Sequence, residues 1–126
     1  HAYPLLERKG FDNRIQGLSP RDFIYLIMPD RFANGDPTND RIAGMNDQTL
    51  NRDSLYHRHG GDLKGVQNRL DYLQSLGVTA LWLNPVLEND QPKESYHGYA
   101  ATNLYQVDRR FGGNKAYLDL IDALHA

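Results

Sequence analysis

Oxygen-bearing side chains are concentrated in the segment ANGDPTND, which follows the apolar run at residues 23–28. Ca²⁺ takes six to eight oxygen ligands from carboxylates, amides and backbone carbonyls. The segment offers four candidate ligands, and Pro37 would stiffen the loop that aims them: Asn34, Asp36, Asn39 and Asp40. The downstream segment HGGD adds a glycine carbonyl at Gly60 and the carboxylate of Asp62. The same residue types build ordinary turns, so composition alone favours a solvated loop with Asp62 capping a helix.

A second group of side chains with binding potential lies in the segment SYHGY at residues 95–99. Two tyrosines flank His97 on a backbone that Gly98 makes permissive. A sugar ring presents an apolar C–H face to an aromatic platform such as Tyr99 and hydroxyl groups to an imidazole. A packed loop with incidental aromatic residues would have the same composition, and the segment taken alone favours that interpretation.

Bulk composition excludes several classes of function. The chain has 126 residues, a formal net charge of -2 and no cysteine. Its charge gives no electrostatic reason to bind nucleic acid, and the missing thiols exclude disulfides, thiol catalysis and thiolate metal sites. No apolar stretch is long enough to span a bilayer, so we expect no transmembrane segment.

The pattern of apolar residues predicts the elements that would position these side chains. Continuous apolar runs at 23–28 and 78–83 are typical of strands buried on both faces. Leu63, Val66, Leu70 and Leu73 predict a helix capped by Asp62 and ended by Gly77. A long structureless loop would lead to a last helix capped by Asn114. Strand–helix–strand–helix order favours parallel βα units of an α/β fold.

Two parallel strands would leave both sheet edges open, so we expect the chain to be part of a larger α/β fold. Long loops at the carboxyl ends of strands are where barrel enzymes place their chemistry. Residues 1–21 show no sustained period and are interpreted as a linker, and residues 22–126 as the barrel segment.

Three segments, taken together and in order, carry a family resemblance: DFIYLIMPDRFANGDPTND, HGGDLKGVQNRLDYLQSLGVTALWLNPVLEN and SYHGYAATNLYQVDRRFGG. They resemble the start of the catalytic barrel of the α-amylase family, glycoside hydrolase family 13, in its neopullulanase and cyclomaltodextrinase branch. The resemblance implies a truncated TIM (β/α)8 barrel that contains about its first two βα units.

The resemblance also implies roles for the two groups of side chains. In calcium-binding members, the loop after the first strand binds Ca²⁺ with a Gly-Gly-Asp segment. The ligands here would be Asn34, Asp36, Asn39, Asp40, the carbonyl of Gly60, and Asp62. His97 is similar to the histidine that contacts the sugar at the −1 subsite, and Tyr99 to the platform beneath that sugar.

The implied activity is retaining hydrolysis of α-glucosidic bonds in maltooligosaccharides, cyclodextrins or pullulan. The nucleophile Asp, the acid/base Glu and a third Asp would lie beyond Ala126, so we expect the chain alone to be inactive. A catalytic pair would stand about 5–5.5 Å apart across the bond. No spacing selects such a pair among the acids here, which we interpret as solvated loop carboxylates: Asp30, Glu88, Asp90, Glu94 and Asp108.

The expected partners are an α-glucan and the remainder of the same barrel. Alternatives are a barrel scaffold that lacks catalytic carboxylates and a small calcium-binding module. A periplasmic or secreted enzyme would suit the implied substrates, but the sequence assigns no compartment. Linkage preference, transglycosylation and oligomeric state depend on residues outside this sequence.

Overall fold

The computed structural model describes residues 17–126, and residues 1–16 of the linker predicted at 1–21 lie outside the described part. Strands β1 (Ile24–Ile27) and β2 (Ala80–Leu83) pair in parallel, with Ile24 opposite Ala80 and Ile27 opposite Leu83. The two parallel strands predicted from the apolar runs are therefore confirmed, with shorter bounds.

The prediction that both faces of these strands are buried is wrong for the described residues. Alternate side chains of a strand point to opposite faces. One face packs on the core cluster through Ile27 and Leu81. On the other face Leu26 and Trp82, which are paired in register, are 61% and 64% exposed, because no element within residues 17–126 covers them.

The helix predicted over residues 62–77 begins where expected but is interrupted. Asp62 caps α2 (Leu63–Gln67) by accepting a hydrogen bond of 2.6 Å from the Gly65 amide. The Arg69 amide bonds to Val66, three residues back, and a second helix α3 (Leu70–Ser75) follows. This tighter bond breaks the regular four-residue ladder between the two helices. Gly77 ends the segment at φ +81°, as predicted.

The segment after β2 also departs from prediction, because it is not structureless. Strands β3 (Leu87–Glu88) and β4 (Asn103–Val107) form an antiparallel pair. Short 3-10 turns lie at Ser95–His97 and Arg109–Phe111. Two more elements were not predicted: the single-turn helix α1 (Pro29–Phe32) and a 3-10 turn at Pro37–Asn39.

The last helix, α4 (Gly113–His125), is confirmed, but its cap was wrongly predicted. Gly112, at φ +98°, occupies the N-cap position. Asn114 lies within the helix, and its Oδ1 accepts a 2.7 Å hydrogen bond from the Val107 amide. Asn114 thus ties α4 to β4 instead of starting the helix. Within residues 17–126, no helix has the length and apolarity to cross a membrane.

The core lies between the sheet and the helices. Helix α2 packs against both α1 and α4. Seven buried apolar side chains form the centre of this core: Ile27, Leu63, Val66, Leu73, Val107, Phe111 and Leu120. The first loop reaches this packing through glycines, since a Cβ on Gly65 would overlap the carbonyl oxygen of Ala33 and one on Gly35 would overlap the backbone of Gly65.

Replacement of Gly65 by alanine tests this close approach. Alanine is favoured over glycine in a helix by about 1 kcal/mol, so helix propensity alone predicts that Gly65→Ala stabilises the protein. We expect the opposite, a loss of about 1–3 kcal/mol, because the new methyl group must displace the Ala33 backbone. Urea denaturation measures the change. Gly17→Ala, where a Cβ meets nothing within 4 Å, is the control. An unchanged midpoint for Gly65→Ala would contradict the packing.

Candidate functional site

The loops that follow β1 and β2 meet at the carboxyl ends of the two strands, and Arg31 joins them. Its guanidinium donates hydrogen bonds of 2.7 and 2.8 Å to the carbonyl oxygens of His57 and Leu55. The same group lies 4.1 Å from the ring centroid of Tyr96 in the second loop, at cation–π distance. Asp30 pairs with Arg31 at 3.2 Å and restrains it further. One side chain therefore contacts both loops.

The second loop is seated on the end of β2. Asn84 donates a 3.3 Å hydrogen bond from Nδ2 to the carbonyl oxygen of His97. Gly98 has φ +80°, and a Cβ there would overlap the carbonyl oxygen of Pro85. Only glycine accommodates both the positive φ and this approach. The backbone on either side of His97 is thus fixed against β2.

The tautomer of His97 is defined by a hydrogen bond within its own loop. Its Nδ1 accepts a 2.9 Å hydrogen bond from the Tyr99 amide, so the proton of the neutral ring lies on Nε2. The rings of His97 and Tyr99 are 5.9 Å apart and inclined by 33°. Tyr99 is 68% exposed. The structure therefore brings these two predicted residues together as a hydrogen-bond donor beside an exposed aromatic face.

Asp62 organises the first loop. Its carboxylate accepts hydrogen bonds from the amides of Gly35 at 3.0 Å, Asp36 at 2.8 Å and Gly65 at 2.6 Å, and from Nδ2 of Asn39 at 3.2 Å. Asp62 is fully buried. Asp62 therefore has two structural roles. It caps α2, as predicted, and it also holds the ANGDPTND loop against that helix.

Most of the predicted cation ligands lie in one cluster. Asn34 donates a 2.7 Å hydrogen bond to Asp40 Oδ1, and a Cβ on Gly60 would lie 2.6 Å from that same oxygen. The Oδ1 atoms of Asn34 and Asn39 are buried and have no hydrogen-bond partner within the described residues. The pKa of Asp40 is raised, mainly by burial. The hydrogen bond from Asn34 lowers this pKa, and the negative charge of Asp62 raises it further. Unpaired oxygens and crowded negative charge fit a cation.

Asp36 does not join this cluster through its side chain. Its Oδ1 accepts hydrogen bonds from the hydroxyl and amide of Thr38 at 2.6 and 3.0 Å, which lower the pKa of Asp36. Only its backbone amide reaches Asp62. Within residues 17–126 no three His, Asp or Glu side chains converge as metal ligands, so any cation here would depend on amide and backbone oxygens.

Two of the acids expected to be solvated are buried, which corrects that prediction. Asp30 and Asp108 are 1% and 0% exposed. Asp30 accepts a 2.9 Å hydrogen bond from the His59 amide and lies 3.6 Å from the guanidinium of Arg58. Asp108 pairs with Arg110 through two bonds, Nε–Oδ1 at 3.0 Å and Nη2–Oδ2 at 2.8 Å. Composition and periodicity carried no signal for these pairs, because charged residues in loops are exposed by default.

Arg110 extends this pair into a network that crosses both loops. It donates from Nη1 to the carbonyl oxygen of Asp47 at 3.1 Å and from Nη2 to that of Asn89 at 2.8 Å. The Asp47 carboxylate in turn accepts 2.8 and 3.2 Å bonds from the hydroxyl and amide of Ser95. Ser95 begins the turn that carries His97, so the buried network anchors the candidate site.

The charges in the network shift each other's titration. Burial would raise the pKa of Asp108, but the hydrogen bonds and charge of Arg110, with Arg58, outweigh it and leave the pKa below its ordinary value. Burial would likewise raise the pKa of Asp47, but hydrogen bonds from Thr49 and Ser95 lower it overall. Burial and the charge of Arg110 lower the pKa of Arg58. The ionised forms of Asp47 and Asp108 are therefore favoured more strongly in the folded protein than in the unfolded chain.

This linkage predicts acid sensitivity. A carboxyl with a depressed pKa in the folded state stabilises the protein above its unfolded pKa, and the contribution is lost as pH falls through the folded pKa. Asp108→Asn leaves Arg110 buried without its counter-charge, and we expect a loss of about 3–5 kcal/mol at pH 7. The difference in the free energy of unfolding between Asp108→Asn and the unmodified protein should narrow as the pH falls from about 5 to below 3.8, the ordinary pKa of an Asp carboxyl.

Urea denaturation at pH 7, 5 and 3 measures this difference. Asp122→Asn, on the exposed side of α4, is the control and should change stability by less than about 0.5 kcal/mol. A gap between Asp108→Asn and the unmodified protein that stays constant from pH 7 to 3 would show that the Asp108 charge contributes nothing.

Comparison with known proteins assigns the chain to one family. The profile of the alpha-amylase catalytic domain matches residues 26–126. Neopullulanase 2 of Thermoactinomyces vulgaris is 42% identical over 105 residues, which cover 81% of this chain and 17% of the relative. The periplasmic alpha-amylase of Escherichia coli is 36% identical over an alignment of 136 positions, which covers 96% of this chain and 19% of the relative.

Solved structures agree with the sequence relatives. The crystal structure of an Anoxybacillus alpha-amylase matches with a TM-score of 0.68 and 38% identity, over 83% of this chain and 21% of that protein. The alpha-amylase of Geobacillus thermoleovorans complexed with acarbose matches with a TM-score of 0.64 and 39% identity, over 83% and 20%. The chain thus spans about a fifth or less of the length of these proteins. It belongs to the alpha-amylase family, glycoside hydrolase family 13.

Proposed function

We propose that residues 22–126 form the first two βα units of a (β/α)8 barrel in a retaining α-glucan hydrolase with neopullulanase-like activity, with residues 1–21 as a linker. The exposed face of the β1–β2 pair supports the barrel. Leu26 and Trp82 expose large apolar surfaces that the remaining strands of a barrel would cover. The remainder of that barrel is therefore the first partner we assign to this segment.

One observation carries the assignment of a sugar site: the hydrogen bond from the Tyr99 amide to His97 Nδ1. Because this bond leaves the proton on Nε2, His97 can donate to a sugar hydroxyl while the exposed Tyr99 ring stacks on the C–H face of the same sugar. We assign this pair to one wall of the −1 subsite. The relatives named neopullulanase and alpha-amylase support an α-glucan as the substrate.

Bond cleavage would use groups outside this segment. In a retaining mechanism an Asp attacks the anomeric carbon and forms a glycosyl–enzyme bond, while a Glu gives its proton to the departing glycosidic oxygen. The same Glu then takes a proton from water, which hydrolyses the intermediate, and a third Asp supports the oxocarbenium-like transition state. These three acids would come from strands beyond Ala126. His97 and Tyr99 would bind and orient the sugar.

We also propose a structural Ca²⁺ in the first loop, held by oxygens of Asn34, Asp36, Asn39, Asp40, Gly60 and Asp62. Two buried amide oxygens without partners support it. The Asp36 carboxylate would have to turn from Thr38 to take part. Each oxygen of Asp62 already accepts two N–H hydrogen bonds, so Asp62 would have to give up one of them to bind the ion. A bound cation would neutralise the charge shared by Asp40 and Asp62 and secure the loop to α2.

The hydrolase proposal is tested by replacing His97 in the full-length protein that contains this segment. His97→Ala should reduce kcat/KM for maltooligosaccharides by about 10–100-fold, which corresponds to one lost hydrogen bond to the reacting sugar. Release of reducing ends measures the rate. His125→Ala, exposed at the end of α4, is the control and should keep full activity. The 126-residue chain alone should be inactive. A full-length protein without any α-glucan hydrolysis would favour a barrel scaffold instead.

The cation proposal is tested by thermal denaturation with Ca²⁺ and with a chelator. We expect Ca²⁺ to raise Tm and chelation to lower it, because an ion that binds only the folded state stabilises that state. Asp40→Asn should remove most of this difference, whereas Asp53→Asn, on the exposed part of the same loop, should retain it. Calorimetry gives the stoichiometry. A Tm that does not respond to Ca²⁺ in the unmodified protein would refute the site.

A further inference from the structure

The first loop exposes an aromatic side chain that the site described above does not use. Tyr56 and its neighbour Leu55 are 63% and 78% exposed, in a segment, residues 51–58, whose other side chains are polar. Tyrosine offers a large rigid face at low conformational cost, which makes an exposed tyrosine near a binding site a candidate contact.

The backbone of this loop is held in place by hydrogen bonds. The Asn51 amide donates to the Arg58 carbonyl at 2.9 Å and closes the loop at its base. Within it, the Ser54 amide donates to Asn51, and Ser54 in turn accepts a 2.9 Å bond from Nε2 of His59. Tyr56 therefore lies in a loop whose backbone is held in place by hydrogen bonds.

Arg31 fixes this loop beside the proposed sugar wall. Its two hydrogen bonds go to the carbonyl oxygens of the residues on either side of Tyr56, and its guanidinium lies 4.1 Å from the ring centroid of Tyr96. The Tyr96 ring is 5.6 Å from the ring of His97. The backbone on either side of Tyr56 is thus connected to His97 through one guanidinium and one aromatic ring.

We propose that Tyr56 is a second aromatic platform, which stacks on a glucose unit of a longer α-glucan several subsites from the bond that is cleaved, and that Arg31 positions it there. The proposal rests on the proposed function. A glucan chain is neutral and amphipathic, so its recognition requires aromatic faces and hydrogen bonds instead of charge. In the proposed path, a chain that leaves the His97–Tyr99 wall past Tyr96 and Arg31 reaches the loop that carries Tyr56. A short oligosaccharide would end before it.

The test uses the full-length protein and two substrates, maltotriose and maltoheptaose. Tyr56→Ala should reduce kcat/KM for maltoheptaose by about three- to tenfold, mainly through KM, and leave maltotriose within about twofold. Tyr56→Phe, which keeps the stacking face, should restore maltoheptaose to within about twofold of the unmodified enzyme. Tyr105→Ala is the matched control, since Tyr105 on β4 is 91% exposed and lies outside the proposed wall.

Three results would overturn the platform: no effect of Tyr56→Ala on either substrate, an equal loss on both, or failure of Tyr56→Phe to restore maltoheptaose. Calorimetric binding of the two oligosaccharides separates this inference from the hydrolase proposal. If the unmodified protein binds maltoheptaose in a Tyr56-dependent manner without cleaving it, the platform stands and hydrolysis fails. If it binds neither oligosaccharide, both proposals fail.

Discussion

The buried guanidinium of Arg110 is the constraint on which the arrangement of the loops depends. A guanidinium keeps its charge at neutral pH and has five N–H donors, so its burial requires several acceptors in fixed positions. Arg110 finds them in three separate segments: the Asp108 carboxylate and the carbonyl oxygens of Asp47 and Asn89. These segments follow β4, β1 and β3 respectively. Packing of apolar side chains alone would leave such long connections free to shift relative to one another.

The second buried arginine, Arg58, has far fewer hydrogen-bond partners than Arg110. The guanidinium of Arg58 lies 5.0 Å from the ring of Phe111, and within residues 17–126 it donates one hydrogen bond, of 3.3 Å, to the hydroxyl of Ser95. Its Nε and Nη2 have no hydrogen-bond partner within residues 17–126. A buried ion pair contributes less to net stability than its contacts imply, because desolvation offsets the attraction. The network is therefore better understood as fixing the position of Ser95, and with it the turn that carries His97, than as a large source of stability.

Local features were predictable from sequence, and long-range ones were not. The two strands, the Asp62 cap and the Gly77 terminus each depend on a few adjacent residues, and the structure confirms them. The family, and with it the placement of His97 beside Tyr99, came from the order of three motifs. The β3–β4 pair joins short runs that are separated by a long connection, and burial of Arg110 depends on partners up to 63 residues away. No periodicity in the sequence reports such contacts.

The candidate cation cluster and the candidate sugar wall are mechanically linked through two consecutive residues. Asp30 holds the segment before α2, accepting from the His59 amide at 2.9 Å and, through its carbonyl, from the Gly61 amide at 2.9 Å. Arg31 turns the other way and contacts Tyr96. A change that loosens the segment around Gly60 therefore acts on the backbone of Asp30. Because Arg31 follows Asp30 in the chain, the change also reaches Tyr96 beside the candidate sugar wall. A cation in the first loop would influence sugar binding by keeping this segment rigid, without touching the substrate.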